Sequence, residues 1–170
     1  FSALGKAAPI TQDQPLLIIG AGGVGQAAIT IARAMFGVGP VVADIDPAKR
    51  EAALAAGASE AVDPQDKELR RRLLKLTDGG FAAAVDFVGM PDTTELGLST
   101  LRKGGKLIVV GLFGGSLAIP IPTLPLRGVS VIGSYVGSLD EMGRLMALAR
   151  SGVIAPTSIE TRSLAQVQAT

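Results

Sequence analysis

The stretch Gly20-Ala21-Gly22-Gly23-Val24-Gly25 constrains the fold of this chain more than any other. It directly follows a short apolar run, Leu16-Leu17-Ile18-Ile19, which Pro15 and Gly20 bound. It directly opens a helical pattern from Val24 to Phe36, stopped by Gly37 and Pro40. A strand that turns through GxGxxG into a helix is half of a dinucleotide-binding βαβ unit. Gly20 permits the tight turn, Gly22 lets a pyrophosphate approach the backbone, and Gly25 lets the helix pack closely on the strand. With Gly23 and Val24 between them, these residues form a candidate phosphate site, where the anion meets free N–H groups and the positive end of the helix dipole.

A glycine-rich turn with no ligand shares that pattern, so the next strand matters. Val41-Val42-Ala43 ends on Asp44, which lies 19 residues after Gly25, near the expected acid position. Its carboxylate can accept hydrogen bonds from both ribose hydroxyls of NAD. A 2′-phosphate there would place like charges in contact, at a cost of about several kcal/mol. The neighbouring Ile45 is not basic, so NAD is expected rather than NADP. The competing reading of Asp44 is an ordinary solvent-facing acid. Helix capping does not compete, because Asp46, followed by Pro47, is the better N-cap.

Strand and helix patterns alternate along the rest of the chain. A helix is expected from Pro47 to about Ala56, and a weak strand near Ala61-Val62. Then come a helix over Asp66–Thr77, a strand over Ala82–Val88, a helix over Thr93–Leu101 and a strand over Lys106–Val110. A proline-broken apolar passage, Leu117–Leu126, precedes a strand over Val129–Ile132 and a helix over Leu139–Ser151. This alternation predicts one α/β domain over residues 1–170, a doubly wound parallel sheet with strand order 3-2-1-4-5-6.

Composition removes other classes. Residues are 48% hydrophobic but only 4% aromatic, so the core must be aliphatic. A net charge of +1 offers no field for nucleic acid. Cysteine and histidine are both absent, which excludes disulfides and thiol catalysis and removes the usual zinc ligands and the commonest general base. The uncharged run from Leu16 to Ala32 falls short of the ~18 residues of a membrane span and is split by glycines, so a buried strand and helix are expected instead. No secretory signal pattern opens the chain.

Several blocks, in order, resemble the coenzyme domain of the medium-chain alcohol dehydrogenase superfamily. They are the glycine turn, Ala43-Asp44-Ile45-Asp46, Ala56-Gly57-Ala58 and Val85-Asp86-Phe87-Val88-Gly89. Leu101-Arg102-Lys103-Gly104-Gly105-Lys106, Val109-Val110-Gly111-Leu112 and Ile132-Gly133-Ser134-Tyr135-Val136-Gly137 complete the set. The resemblance implies that Lys49 supports the adenosine ribose, against the alternative of a solvated helix lysine. It implies that Phe87, Val88 and Gly89 form a lip over the adenine and its ribose. Val110, Ser134 and Val136 match positions whose backbones hold the nicotinamide carboxamide. Gly111 lies between Val110 and Leu112, the latter matching a position near substrate. Plain core packing is the competing reading for Val110 and Leu112.

The resemblance further implies a cytoplasmic NAD-dependent alcohol or polyol dehydrogenase whose N-terminal catalytic domain, with its zinc and proton relay, is absent here. The chain would then be an excised coenzyme domain that binds NAD without turnover. Subunits of the family pair through this part, so a homodimer is expected through Leu117–Ile121 and Val129–Ile132. A loop covering the domain's own core is the alternative for the first segment. Arg70-Arg71-Arg72 reads as a solvated helix face with i,i+4 pairs Asp66–Arg70 and Glu68–Arg72, rather than a nucleic-acid patch. Two readings from other classes share the glycine turn and acid: a non-catalytic NAD sensor and an S-adenosylmethionine methyltransferase.

Overall fold

The computed structural model describes residues 1–154, 161 and 163–165. Among these residues there are six strands: β1 (Leu16–Ile19), β2 (Val41–Ala43), β3 (Glu60–Val62), β4 (Phe81–Asp86), β5 (Leu101–Val109) and β6 (Ser130–Gly133). All pair in parallel, in the order β3-β2-β1-β4-β5-β6. The predicted α/β doubly wound sheet is therefore observed.

Strands β1, β2 and β4 are buried along their whole lengths. They read as continuous apolar runs because helices cover both faces. Alternation sorts each strand between two cores. Ile18, Val42, Val85 and Ile108 pack with Leu4 and Ile29 on one face. Leu17, Ile19, Leu107 and Phe81 pack with Leu69 and Leu73 on the other. The uncharged run from Leu16 to Ala32 is β1 followed by most of α2 (Gly23–Phe36). Among the described residues, no helix is long and apolar enough to cross a membrane.

The other helices expected from the sequence are α3 (Pro47–Ala55), α4 (Leu69–Leu76), α5 (Pro91–Ser99) and α7 (Leu139–Arg150). Two helices were not expected, α1 (Ser2–Ala7) and α6 (Thr123–Arg127). Both are too short to show a helical period. Helix α6 tolerates Pro125 because it falls in the first turn, where a backbone N–H has no helical partner.

Most boundaries shift by one or two residues, β4 ending at Asp86 and not Val88 among them, and three shifts have a clear local cause. Strand β5 starts at Leu101, because Gly104 and Gly105 form an irregularity inside the strand and not a turn before it. Helix α5 consequently ends at Ser99. Helix α4 starts at Leu69, which leaves Asp66 and Glu68 outside it, so the i,i+4 pairs do not form. Arg72 instead reaches Asp66 at 3.1 Å and Glu60 at 3.8 Å, and Arg71 reaches Glu68 at 2.5 Å. These exposed pairs contribute little to stability.

Register sets up the site. Ile19 lies beside Ala43 and Asp86, Asp86 beside Val109, and Val109 beside Gly133. Five strands thus end in one row, and the next residue after each is Gly20, Asp44, Phe87, Val110 and Ser134. Those five positions, spread from residue 20 to residue 134 of the sequence, meet at a single edge of the sheet.

Candidate functional site

At the centre of that edge the chain turns at Gly20 with φ +88° and enters α2. A Cβ at Gly25 would stand 1.9 Å from the Gly20 carbonyl oxygen, so the helix rests directly on the turn. At Gly22 and Gly23 the space a Cβ would occupy is open. The N-cap of α2 is Gly22, and no side chain caps the helix. Free N–H groups therefore face open space at the positive end of a helix that is 14 residues long, an arrangement that can hold an anion.

Asp44 stands beside the turn and is only 8% exposed. Its Oδ2 accepts the Ala21 N–H at 2.7 Å and its Oδ1 accepts the Asp46 N–H at 2.9 Å. The solvent-facing reading of this acid is thereby replaced: the carboxylate joins the glycine turn to the end of β2. Each oxygen keeps further acceptor capacity for a hydroxyl donor. Asp46 caps α3 through the Ala48 N–H at 2.9 Å. Arg50, which sequence reasoning missed, donates to the Asp44 and Ile45 carbonyls at 2.7 and 3.0 Å and pairs with Asp63 at 3.4 Å. It pins the backbone of the acid's own turn.

A cleft of about 510 Å³ brings together Gly20, Gly22, Gly23, Val24, Gly25, Asp44, Lys49, Phe87, Val88 and Leu112. Lys49 is exposed, and its carbonyl accepts from Gln26 Nε2 at 3.1 Å. A second cleft, of about 360 Å³, gathers Val110, Ser134 and Val136, with Glu141 and Met142 from α7. Val24 and Phe87 line both, so the two clefts meet over the start of α2. Gly89 and Gly111 line neither. They press together backbone to backbone, a Cβ on Gly89 falling 2.1 Å from the Gly111 oxygen, and face a separate hollow with Leu112 and Leu117. A larger hollow of about 820 Å³ lies at the opposite edge of the sheet, among Leu16, Val41 and Glu60, and contains none of the predicted residues.

The second cleft carries two unusual features. Val136 has φ +47°, and a β-branched residue in that region is a conformational outlier of the kind that concentrates at functional sites. Ser134 is 6% exposed and its N–H bonds to the Val109 carbonyl at 2.8 Å. At the start of α7, Ser138 and Glu141 cap each other: the Ser138 N–H donates to Glu141 Oε2 at 2.8 Å. That bond and one from the Ser2 hydroxyl hold the Glu141 carboxyl below the usual carboxylate range.

Sequence reasoning also passed over Asp86. It is fully buried at the end of β4. Its Oδ1 accepts the N–H groups of Val88 and Gly89 at 2.9 and 3.0 Å, and its Oδ2 accepts the Thr93 hydroxyl at 2.9 Å. Its carbonyl takes the N–H groups of Val110 and Gly111. One residue thus fixes the loop after β4 and the loop after β5 to each other. The signal was available, since Asp86 is the one charged residue in an otherwise apolar strand.

No group of three or more His, Cys, Asp or Glu able to hold a metal occurs among the described residues. With neither histidine nor cysteine in the chain, the donors present do not fit a zinc site.

The family model described as zinc-binding dehydrogenase matches residues 23–151. An NAD-dependent alcohol dehydrogenase of Sulfurisphaera tokodaii is 32% identical over 161 residues, covering 94% of this chain and 46% of that protein. An alcohol dehydrogenase of Geobacillus stearothermophilus is 33% identical over 165 residues, covering 95% and 48%. Among solved structures, the alcohol dehydrogenase of Aeropyrum pernix superposes with a TM-score of 0.88 at 29% identity, covering 98% of this chain and 48% of that one. The D-arabinose dehydrogenase of Sulfolobus solfataricus gives 0.82 at 28% identity, covering 95% and 50%. The chain spans about half the length of the curated relatives it matches.

Proposed function

Because the chain belongs to the zinc-binding dehydrogenase family, we propose that it is the NAD(H)-holding domain of a cytoplasmic alcohol dehydrogenase, whose catalytic domain lies outside these residues. The observation that supports this most is the row of strand ends. It puts the glycine turn and an acid along one cleft and the Val110–Ser134 pair along a second that shares Val24 and Phe87 with it.

In this reading the N–H groups at Gly22–Gly25 take the pyrophosphate, and Asp44 accepts the adenosine ribose hydroxyls with Lys49 beside them. Phe87 and Val88 close over the adenine side. Gly89 supports that lip from behind through its contact with Gly111. The backbones of Val110, Ser134 and Val136 receive the carboxamide, and Leu112 stands toward the substrate. When bound, NAD supplies the hydride-accepting ring, and the protein's part is orientation. Substrate polarisation and proton transfer need the missing domain and its zinc, so this chain alone holds cofactor without turning over an alcohol.

Isothermal titration calorimetry tests the assignment of Asp44. NAD is expected to bind at least about tenfold more tightly than NADP, since a 2′-phosphate against a buried carboxylate costs more than 1.4 kcal/mol. Equal or reversed preference overturns this role for Asp44.

A homodimer through Leu117–Ile121 and Val129–Ile132 belongs to the same reading. Among the described residues β6 is the outermost strand of the sheet, with Val131 42% exposed, and Ile121 is 80% exposed. Leu117 and Ile119 pack against the chain's own core instead, so the strand and Ile121 contribute more of the contact than the rest of the loop. Light scattering at high protein concentration is expected to give the mass of two chains. A single-chain mass removes the pairing.

A further inference from the structure

We propose that Lys6 is a positioning residue for the nicotinamide end of the cleft, acting through the end of β6. This rests on the cofactor reading above. Lys6 does not line the cleft. From the last turn of α1, its ammonium donates to the Gly133 carbonyl at 3.2 Å and to Ser134 Oγ at 3.0 Å. These bonds hold the peptide that leads into Ser134, and the Ser134 side chain as well.

The segment that follows is the one that most needs holding. It runs from buried Ser134 through Val136, in the left-handed region, to the Ser138 cap of α7. Helix α1 grips it at both ends. Lys6 takes Gly133 and Ser134, while at the start of the helix the Phe1 ring lies 5.4 Å from the guanidinium of Arg144 in α7. The helix is itself fixed by buried Ala3, Leu4 and Ala7. Lys106 of β5 also holds it, donating to the Ala8 carbonyl at 2.6 Å. The bracing is therefore rigid, and a charged donor is stronger than a neutral one in this role.

The test compares NADH with ADP-ribose, which lacks the nicotinamide, on the 170-residue chain. Lys6→Met is expected to weaken NADH by about tenfold, the loss of a charge-assisted hydrogen bond, and to leave ADP-ribose within about twofold. Lys6→Arg, which keeps the charge and the donors, is expected to recover most of the NADH affinity. Ser134→Ala removes one acceptor without touching the backbone and is expected to shift the NADH to ADP-ribose ratio the same way by a smaller factor. That arm stands even where Lys6→Met fails to fold. Hydrogen exchange in the unliganded Lys6→Met chain is expected to rise over residues 134–138 and to stay unchanged at Ala21. Equal loss of both ligands in a folded Lys6→Met chain overturns the proposal, as does an unchanged ratio in Ser134→Ala. A wild-type chain that binds ADP-ribose and NADH alike overturns the nicotinamide role while leaving the adenosine site standing. One that binds neither overturns the cofactor reading itself.

Discussion

Replacing Gly25 by alanine is expected to cost the chain about 3 kcal/mol of stability or more, despite the ~1 kcal/mol by which alanine is the better helix former. The new Cβ would lie 1.9 Å from the Gly20 carbonyl oxygen and 2.9 Å from its carbon. The turn cannot yield, because the Gly20 N–H is bonded to the Ala43 carbonyl and the Ala21 N–H to Asp44. Helix α2 must lift instead, and with it the buried Ala28, Ile29 and Ala32. Urea unfolding measures this directly, and an unchanged midpoint would refute it. Gly22→Ala is the informative contrast. Nothing lies within 4 Å of its Cβ and its φ is −69°. Stability is expected to stay within about 0.5 kcal/mol, while NAD affinity falls about 100-fold because the methyl stands where the pyrophosphate would approach. Three glycines of one motif thereby divide into those the fold demands and one that only the ligand demands.

Asp86→Ala is expected to be nearly as damaging, at about 3 kcal/mol or more. The acid is fully buried, and its removal leaves the Val88 and Gly89 N–H groups without their acceptor, each at ~1–3 kcal/mol. Asp86→Asn keeps one oxygen for those two donors and turns its amide toward the Thr93 hydroxyl, which can accept. A cost of about half that of alanine is expected. Both variants should also weaken ADP-ribose, since Phe87 and Val88 line its cleft. Urea midpoints and calorimetry read the two effects separately. An Asp86→Ala chain with wild-type stability would show that the loop holds itself.

The fold is legible in the sequence chiefly through its buried strands. Leu16–Ile19 and Phe81–Val85 are apolar without interruption because both faces are covered, and that pattern with its glycine turn was enough to order the sheet. The adenosine half of the site was legible for the same reason: the turn and Asp44 are close in sequence and each carries a residue type with few other uses. What escaped was whatever no motif or period marks. Helix α1 has no period to detect, and Lys6 is an unremarked lysine until β6 is placed beside it. Arg50 and Asp86 act on backbone groups of neighbouring loops, and no spacing rule announces such contacts. The pairs expected for Arg70–Arg72 failed because the helix began three residues later than Asp66, at Leu69, and helical spacing applies only within a helix.

The bond between Lys6 and Ser134 joins residues 128 apart, whereas Ala21 and Asp44 are only 23 apart. Closing the longer loop costs more chain entropy and waits on every strand between. The two ends of the cleft are thus expected to be built at different stages of folding. The turn and its acid are complete once the first strands pair. The far end is complete only when the last strand of the sheet has docked and the first helix has closed over it. On loop closure alone, the far end of the cleft is expected to be the last part of the site to form.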